Sequence, residues 1–351
     1  MPLRKIRVLV VDDSLFMREF ITSQISKDDA VEVVGTAADP YEARDKIIEL
    51  APDVMTLDIA MPKMNGIEFL RLLIPQYPLP VVVVSAVDGA VFDALNAGAV
   101  DFVNKSDVKD KRGRERFISE LIIKIKIASI AKVGKNRHPE LIKAEKQKTA
   151  GNFESDAVIA IGASTGGTEA ILTILKQLGG DLPGILIVQH MPPVFTRLYA
   201  ERLNEACAME VREAKNGDEL KPGTALVAEG GLQMSLERKD GRLCVKSVQA
   251  EKVSGHCPSV DVLFDSISKI EGINSLGVIL TGMGSDGARG LLAMKKAGAS
   301  TIGQDKTTSV VYGMPEVAHS IGAVDIQLPI GDIAAQIYKW CDSRTKRKTE
   351  S

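Results

Sequence analysis

The chain has 351 residues, of which 45% are hydrophobic and 26% are charged, and its formal net charge is −2. A chain longer than about 250 residues exceeds the size at which a single hydrophobic core stops growing, so two domains are expected. The near-neutral charge argues against a dedicated nucleic-acid-binding protein, which would carry a basic stripe. The four cysteines (Cys207, Cys244, Cys257 and Cys341) are scattered, which excludes a disulfide framework and a zinc site and favours a reducing compartment.

No apolar run approaches the length of about 18 residues that spans a bilayer. The N-terminal apolar run ends at Asp12-Asp13, which is too early for a secretory signal peptide. The sequence therefore predicts a cytoplasmic protein that neither inserts into a membrane nor binds nucleic acid, and we expect a monomer.

Residues 1–125 alternate short β-branched runs with amphipathic stretches. The β-branched runs predict five strands: Ile6–Val11, Val31–Ala37, Val54–Leu57, Val81–Val84 and Asp101–Val103. The helical patterns between them cover Leu15–Ile25, Tyr41–Leu50 and Ile67–Leu73. Strands that alternate with helices form a parallel sheet with helices on both faces. The first domain is therefore predicted to be α/β.

Residues 126–154 have no such alternation. Within them, Lys132–Lys148 holds five Lys and one Arg against two Glu, with Gly134 and Pro139 as breakers. This composition favours a solvated linker, and a basic docking segment for an acidic partner is the alternative.

Residues 155–345 return to the α/β pattern and form the second predicted domain. Strands are predicted at Ala157–Ile161, Ile185–Gln189, Leu276–Leu280 and Thr301–Gln304, with helices such as Ala170–Leu178 and Leu291–Ala297. Thr224–Val248 differs, because short alternating runs flank Asp240-Gly241, a pair typical of hairpin turns. The prediction is a Rossmann-like, doubly wound, mostly parallel sheet with an added antiparallel hairpin.

Polar residues follow four of the predicted strands of the first domain: Asp12-Asp13, Asp58, Ser85 and Lys105. The carboxyl ends of parallel strands meet at one edge of the sheet. Each aspartate alone could be a helix N-cap, but three converging carboxylates would repel one another without a cation. A hard oxygen site of this kind suits Mg²⁺, and a carboxylate beside a metal and a lysine can accept a phosphoryl group.

These residues resemble the active site of a two-component receiver domain with a flavodoxin-like (βα)5 fold. The resemblance rests on the strand-end residues, on Leu57–Pro62 around Asp58, and on Phe102 at the aromatic switch position. It implies that a histidine kinase phosphorylates Asp58. It also implies a set of Mg²⁺ ligands: Asp13, Asp58 and the backbone carbonyl of Ala60, with Asp12 as a further candidate. Ser85 and Lys105 would contact the phosphoryl group. Ser106 departs from the pattern, because receivers usually have Pro there.

The second domain carries Gly162-Ala163-Ser164-Thr165-Gly166-Gly167 between a predicted strand and a helix. As G-x-S-x-G it is a candidate nucleophile elbow, and a Ser/Thr N-cap or a phosphate-binding turn remain alternatives. His190 and Asp286 follow two further strands, so the three side chains could form a nucleophile, base and orienting carboxylate. The order Ser, His, Asp differs from that of α/β-hydrolases.

The segment Gly282–Gly287 offers a competing interpretation. It spells G-x-G-x-x-G between a strand and a helix, and Asp305 ends the next strand, which matches a dinucleotide-binding fingerprint. Such a motif normally opens its domain, and nicotinamide binding would leave Ser164 and His190 without a role.

The second domain also resembles the catalytic domain of the chemotaxis response-regulator protein-glutamate methylesterases, the CheB family. The resemblance rests on five stretches: Gly162–Gly167, Gln189–Pro193, Pro258–Phe264, Leu280–Gly287 and Gly313–Pro315. It implies that Ser164 is the nucleophile, His190 the general base and Asp286 its orienting group. The backbone N–H of Met283 would line the oxyanion hole, and Thr165 and the following helix would add a favourable dipole. No cofactor is implied for this site.

The function implied is phosphorylation-activated hydrolysis of glutamate methyl esters on chemoreceptors, with deamidation of receptor glutamines through the same intermediate. The partners implied are a chemotaxis histidine kinase and methylated receptor cytoplasmic domains. Three residues depart from the family pattern: Glu229 and Gln233 stand where Pro and His are typical, and Cys257 where a basic residue is common. Two other classes stay open: a non-enzymatic phospho-dependent scaffold and a transcription regulator, although no helix-turn-helix follows residue 150.

Overall fold

The computed structural model describes residues 4–86, 89–105, 108, 110–134 and 156–346, with side chains up to 343. Ser106 and most of the predicted linker lie outside the described residues. The chain divides into two compact units, residues 1–137 and 138–351. Within the described ranges, none of the helices combines the length and the apolar character needed to cross a bilayer.

The first unit is a five-stranded parallel sheet in the order β2-β1-β3-β4-β5. The strands are β1 (Ile6–Val11), β2 (Val31–Ala37), β3 (Val54–Leu57), β4 (Val81–Ser85) and β5 (Asp101–Asn104). The helices are α1 (Leu15–Ile25), α2 (Pro40–Leu50), α3 (Gly66–Leu73), α4 (Ala90–Asn96) and α5 (Lys111–Ser129). Helix α5 continues into the stretch that the sequence assigns to the linker, and the boundaries at 125 and 155 stay predictions.

Local capping explains where several of these helices begin. The side chains of Ser14, Asp39, Asn65 and Asp110 each accept a backbone N–H from the first turn of α1, α2, α3 and α5, respectively. Such caps satisfy N–H groups that have no partner inside the helix. The sheet reverses its strand order between β1 and β3, and in doubly wound folds a functional crevice forms at that point.

The second unit contains a seven-stranded parallel sheet in the order β14-β13-β12-β6-β7-β9-β8. Its strands are β6 (Ala157–Ala163), β7 (Gly184–Gln189), β8 (Glu210–Glu213), β9 (Thr224–Val227), β12 (Asn274–Ile279), β13 (Ser300–Gln304) and β14 (Ile326–Leu328). The helices are α6 (Gly167–Leu175), α7 (Phe195–Ala206), α8 (Val260–Ser268), α9 (Ala288–Lys296), α10 (Met314–Ser320) and α11 (Ile330–Lys346). The strand order reverses at β6 and β12, so a crevice is expected between their carboxyl ends.

The predicted hairpin is present as a separate two-stranded antiparallel sheet. Strands β10 (Gln233–Lys239) and β11 (Arg242–Val248) pair from Gln233↔Val248 to Lys239↔Arg242. Asp240 and Gly241 at the turn have φ of 49° and 78°, as a tight hairpin turn requires. Leu236 and Val245 face inward and join the core of the second unit. The prediction of a mostly parallel α/β protein with an added hairpin is confirmed.

Val194, the N-cap residue before α7, has φ 75° and ψ −47°, a conformation that is strained for a β-branched residue. We expect Val194→Gly to stabilise the protein by about 1 kcal/mol, because relief of about 1–3 kcal/mol of strain exceeds the extra unfolded-chain entropy of glycine. Chemical denaturation measures the effect. Val248→Gly is the matched control, because Val248 is also partly exposed but lies in a strand, and it should lower stability. A loss of stability in Val194→Gly would contradict the strain argument.

Candidate active site and phosphorylation site

The predicted phosphoacceptor Asp58 lies in a buried acidic pocket with Asp12 and Lys105. The Nζ of Lys105 is 2.6 Å from Oδ2 of Asp12 and 2.8 Å from Oδ2 of Asp58. Asp12 follows β1, Asp58 follows β3, and Lys105 follows β5, so the three strand ends converge as the sequence predicts. Burial raises the pKa of Asp58, with the negative charge of Asp12 adding to the effect and Lys105 opposing it.

Carboxylate oxygens of Asp12, Asp13 and Asp58 lie within 4.8 Å of one another. Three carboxylates beside one ammonium leave an excess negative charge that a divalent cation would balance, and an all-oxygen donor set suits Mg²⁺. The carboxylates of Asp12, Asp13 and Asp58 therefore fit a Mg²⁺ ion. Asp13 is exposed, whereas Asp12 and Asp58 are buried. A cation could therefore enter the pocket from solvent on the side of Asp13. Ala60 is adjacent, since its backbone N–H donates to Oδ1 of Asp58 at 3.3 Å.

The other two predicted receiver residues lie on neighbouring strands. Ser85 is the last residue of β4 and pairs with Asn104 of β5, and its side chain is buried. Phe102 is buried on β5, with Nζ of Lys124 lying 4.8 Å from the centre of its ring. Ser85 therefore ends its strand at the edge of the sheet that carries the acidic pocket.

Ser164 of the second unit lies directly after β6, at the point where the strand order reverses. Its backbone N–H donates to the carbonyl of Thr281, which follows β12, at 3.0 Å. A Cβ on Gly282 would lie 2.6 Å from the Cβ of Ser164, so glycine is needed for the two loops to approach. Gly166 has φ 78° and opens α6. The glycines of both motifs thus serve to bring the loops after β6 and β12 together.

His190 follows β7 and contacts Asp286, which follows β12. The Nε2 of His190 is 2.7 Å from Oδ2 of Asp286, and the two side chains are 8% and 1% exposed. The Nδ1 of His190 is buried and has no hydrogen-bond partner among the described residues. With Nε2 engaged by a carboxylate, Nδ1 is the nitrogen available to accept a proton.

Ser164 and His190 are held side by side through the backbone. Their preceding residues Ala163 and Gln189 pair in the β6–β7 ladder, and the N–H of His190 donates to the carbonyl of Ala163 at 3.1 Å. The Nε2 of Gln189 donates to the carbonyls of both Ser164 and His190, at 3.0 and 3.2 Å. The side-chain amide of Gln189 therefore ties the candidate nucleophile to the candidate base.

The carboxylate of Asp286 is held by the first turn of α8. It accepts hydrogen bonds from Oγ of Ser259 at 2.7 Å and from the backbone N–H groups of Val260 and Asp261 at 2.8 and 3.1 Å. A helix N-terminus also favours negative charge. Burial raises the pKa of Asp286, but the hydrogen bonds from His190, Ser259 and Val260 outweigh that effect and hold the pKa below its usual range. Asp286 is therefore an anion in the position that orients His190.

Met283 lies in the loop after β12, next to Gly282, and 43% of it is exposed. In the part of the chain that the structure describes, its backbone N–H has no acceptor. Thr165 is buried, and its carbonyl accepts from Oγ1 of Thr281 at 3.0 Å. A free N–H in the loop that contacts Ser164 is the kind of donor that an oxyanion hole needs.

Gln233, one of the three departures from the family pattern, has a structural role. It is buried, its Nε2 donates to the carbonyls of Glu251 and His256, both at 3.0 Å, and its Oε1 accepts the N–H of Ser259 at 2.8 Å. Gln233 therefore braces the segment that leads into α8 and the Asp286 carboxylate.

The other two departures are partly buried. The carbonyl of Cys257 accepts the N–H of Gly231 at 3.1 Å, and the carbonyl of Glu229 accepts the N–H of Leu232. Burial raises the pKa of the Cys257 thiol. Both residues therefore contribute backbone contacts to the loops beside Gln233.

Two residues near the site were not predicted from the sequence. His256 stacks on the ring of His190, with centroids 3.6 Å apart, and Ser259 donates its hydroxyl to Asp286. Ser259 lies in the stretch Pro258–Phe264 that carries the family resemblance, and its position before an apolar helix is typical of an N-cap, but neither signal indicates a contact with Asp286. His256 gives no such signal, because it lies in a loop.

Comparison with known proteins agrees with this geometry. Residues 159–337 match the family model of the CheB methylesterase, and residues 8–114 match that of the response regulator receiver domain. The chain is 57% identical to a protein-glutamate methylesterase/protein-glutamine glutaminase of Syntrophomonas wolfei over 97% of this chain and 98% of that protein. It is 49% identical to one of Syntrophotalea carbinolica, over 95% and 97% of the two chains.

Among solved structures, the catalytic domain of the Thermotoga maritima CheB methylesterase is 36% identical. It aligns with a TM-score of 0.51 over 52% of this chain and 97% of that domain. The matches cover both units in the same order. The chain therefore belongs to the family of CheB methylesterases that carry a receiver domain.

Proposed function

We propose that this protein hydrolyses glutamate methyl esters on chemoreceptor cytoplasmic domains and deamidates receptor glutamines, and that phosphorylation of Asp58 activates it. The observation that carries the proposal is the buried pair of His190 and Asp286 next to Ser164, at the carboxyl ends of three adjacent strands. The names of the relatives supply the substrate classes.

In the first half-reaction, Oγ of Ser164 attacks the carbonyl carbon of the ester while its proton passes to Nδ1 of His190. The carbonyl oxygen becomes an oxyanion, and the backbone N–H of Met283 would donate to it. The intermediate collapses with cleavage of the ester C–O bond, and His190 returns the proton to the departing methanol. Asp286 stabilises the imidazolium throughout.

In the second half-reaction, water attacks the acyl-enzyme and gives its proton to Nδ1 of His190. The intermediate collapses with cleavage of the bond between the acyl carbon and Oγ of Ser164, and His190 returns the proton to Oγ. The glutamic acid product then loses its proton to solvent and becomes a carboxylate. A glutamine side chain follows the same two steps, with ammonia in place of methanol. Deamidation therefore needs no further catalytic group.

We propose residues 1–125 as the receiver, 126–154 as a linker and 155–345 as the catalytic domain. A histidine kinase of the chemotaxis type would supply the phosphoryl group to Asp58. Asp13, Asp58, the Ala60 carbonyl and Asp12 would hold Mg²⁺, which would offset the charge on the transferring group. The new phosphoryl group would contact Ser85 and Lys105. Phe102 would act as the aromatic switch residue. Cytoplasmic location and the monomeric state remain predictions.

The direct test is release of methanol and ammonia from purified, methylated receptor fragments, with and without acetyl phosphate and Mg²⁺. The native chain should release both products, and acetyl phosphate should increase the rates. A chain that binds the receptor fragment but releases neither product would instead be a scaffold, and the proposed function would be wrong.

Asp58→Asn should abolish this activation and leave the basal rate unchanged, because the amide cannot form the acyl phosphate while the residues of the second unit are intact. Activation of the native chain should be about 5- to 150-fold, the usual range of allosteric coupling. EDTA should have the same effect as the substitution. The exposed Asp29→Asn serves as the matched control and should respond like the native chain. Full activation of Asp58→Asn would reject Asp58 as the phosphoacceptor.

A further inference from the structure

His256 lies face to face with the candidate base His190. The two imidazole rings have centroids 3.6 Å apart and planes inclined by only 6°. No step of the proposed hydrolysis uses His256. The proposed hydrolysis requires that Nε2 of His190 stay on Asp286 and that Nδ1 stay available to accept a proton. A ring stacked parallel to that of His190 limits the rotation that would break the contact with Asp286.

The backbone around His256 is fixed by several hydrogen bonds. Val253 and His256 exchange two backbone hydrogen bonds of 3.0 and 2.9 Å, closed by a turn in which Ser254 and Gly255 have φ of 53° and 84°. The carbonyl of His256 also accepts from Nε2 of Gln233 at 3.0 Å. A side chain presented by such a closed turn is well suited to hold a neighbour in place.

The same chain segment supports both partners of His190. Three residues after His256, Ser259 donates to Asp286, and the N–H of Val260 does so as well. The segment therefore holds Asp286 against the edge of the His190 ring and His256 against its face. Gln233 bonds to both ends of this short segment, at His256 and at Ser259.

Charge favours a neutral His256 beside His190. Burial, together with repulsion from His190 and Lys252, lowers the pKa of His256 to about 4, although Asp286 acts in the opposite direction. When His190 accepts a proton from Ser164, its cation therefore faces a neutral aromatic ring. Such a face attracts a cation, whereas two charged rings at this distance would repel each other.

We propose that His256 is a positioning residue that clamps the ring of His190 by stacking, keeping Nε2 on Asp286 and Nδ1 toward Ser164. The proposal rests on the proposed esterase function for its catalytic consequence. The clamp itself is a property of the two rings and can be measured without substrate.

The test compares His256→Ala, which removes the ring, with His256→Phe, which keeps a neutral ring and removes both nitrogens. We expect His256→Ala to lower kcat for methanol release by about 10- to 100-fold, since small displacements of a catalytic group have effects of this order, with KM nearly unchanged. His256→Phe should restore kcat to within a few-fold of the native value. The exposed His319→Ala is the control and should match the native chain.

Two readouts do not depend on the receptor substrate. The rate at which a fluorophosphonate labels Ser164 reports the base directly, and it should fall in His256→Ala and recover in His256→Phe. The downfield proton resonance of the His190 Nε2–H bonded to Asp286 should be lost in His256→Ala and retained in His256→Phe. If the native chain reacts with the probe but releases no methanol, the proposed function fails while the clamp is still tested.

Two outcomes would overturn the clamp. One is a His256→Ala variant with native kcat, labelling rate and proton resonance. The other is a folded His256→Phe variant as inactive as His256→Ala, which would assign the effect to the imidazole nitrogens. If His256→Ala fails to fold, His256→Phe decides alone, because the proposal requires it to be close to native in all three measurements.

Discussion

Ser164→Ala is expected to reduce methanol and ammonia release by roughly 10⁴-fold or more, the usual loss when the nucleophile of a serine triad is removed. In the proposed mechanism, the oxygen of this hydroxyl forms the acyl-enzyme. Ser164 follows β6 directly, beside the strand whose end carries His190 of the buried His190–Asp286 pair. Initial rates with a methylated receptor fragment and labelling with a fluorophosphonate measure the effect.

The same variant should keep its fold, because the backbone N–H of Ser164, which donates to Thr281, is unaffected by the substitution. Ser235→Ala is the matched control, since Ser235 lies on the hairpin strand β10, outside the three strand ends that carry the site. It should retain the native rate. A folded Ser164→Ala variant with more than a few per cent of native turnover would exclude Ser164 as the nucleophile.

The strands of the first unit were predictable because each contains a short run rich in valine and other apolar residues. The bounds of β1, β2 and β3 coincide with the predicted ones, as do those of α1. Strands buried on both faces need no polar alternation, and the polar residue that follows marks their end. The same reasoning predicts that Asp12, Asp58 and Lys105 lie together, because all three follow strands of one parallel sheet.

The weakly patterned elements were missed for a physical reason. Strand β8 is Glu210–Glu213, whose residues are mostly exposed or partly exposed at the edge of the sheet, and β14 has only three residues. Strand β9 was grouped with the hairpin, yet it pairs with β7 and β8 in the parallel sheet. Local sequence does not specify which sheet a short apolar run joins, because tertiary packing decides it.

The candidate site likewise contains residues that the sequence predicts and contacts that it does not predict. Ser164, His190 and Asp286 were predicted as strand-end residues, since the carboxyl ends of parallel strands meet at one edge. The choice of Nε2 as the nitrogen that contacts Asp286 depends on side-chain geometry. The stacking of His256 depends on the path of the loop that Gln233 braces. Neither has a sequence period or spacing from which it could be predicted.

Asp286→Asn is expected to lower kcat for methanol release by roughly 10³- to 10⁴-fold, because an amide in this position no longer stabilises the imidazolium of His190 or fixes its tautomer. Receptor binding should be retained, so KM should change little. Asp325→Asn is the control. Asp325 is a carboxylate of the same unit that accepts hydrogen bonds from a backbone N–H and from a lysine, but it lies at the amino end of β13, whereas the site lies at the carboxyl ends of the strands. Retention of native kcat in Asp286→Asn would reject the orienting role.

The same substitution should also destabilise the protein, with a defined pH dependence. Asp286 accepts from Ser259, Val260 and Asp261, and an amide nitrogen cannot accept, so the loss should be about 2 kcal/mol near pH 7. The pKa of Asp286 is below its usual range in the folded state. Its ionised form therefore contributes stability that is fully present above the ordinary carboxyl pKa of about 4 and is lost as the pH falls through the folded value. Urea unfolding of both chains between pH 7 and about pH 3.5 should show the stability difference shrinking toward acid, because a protonated Asp286 resembles the amide. A difference that grows as the pH falls through the ordinary carboxyl pKa of about 4 would mean that Asp286 is not an anion in the folded state.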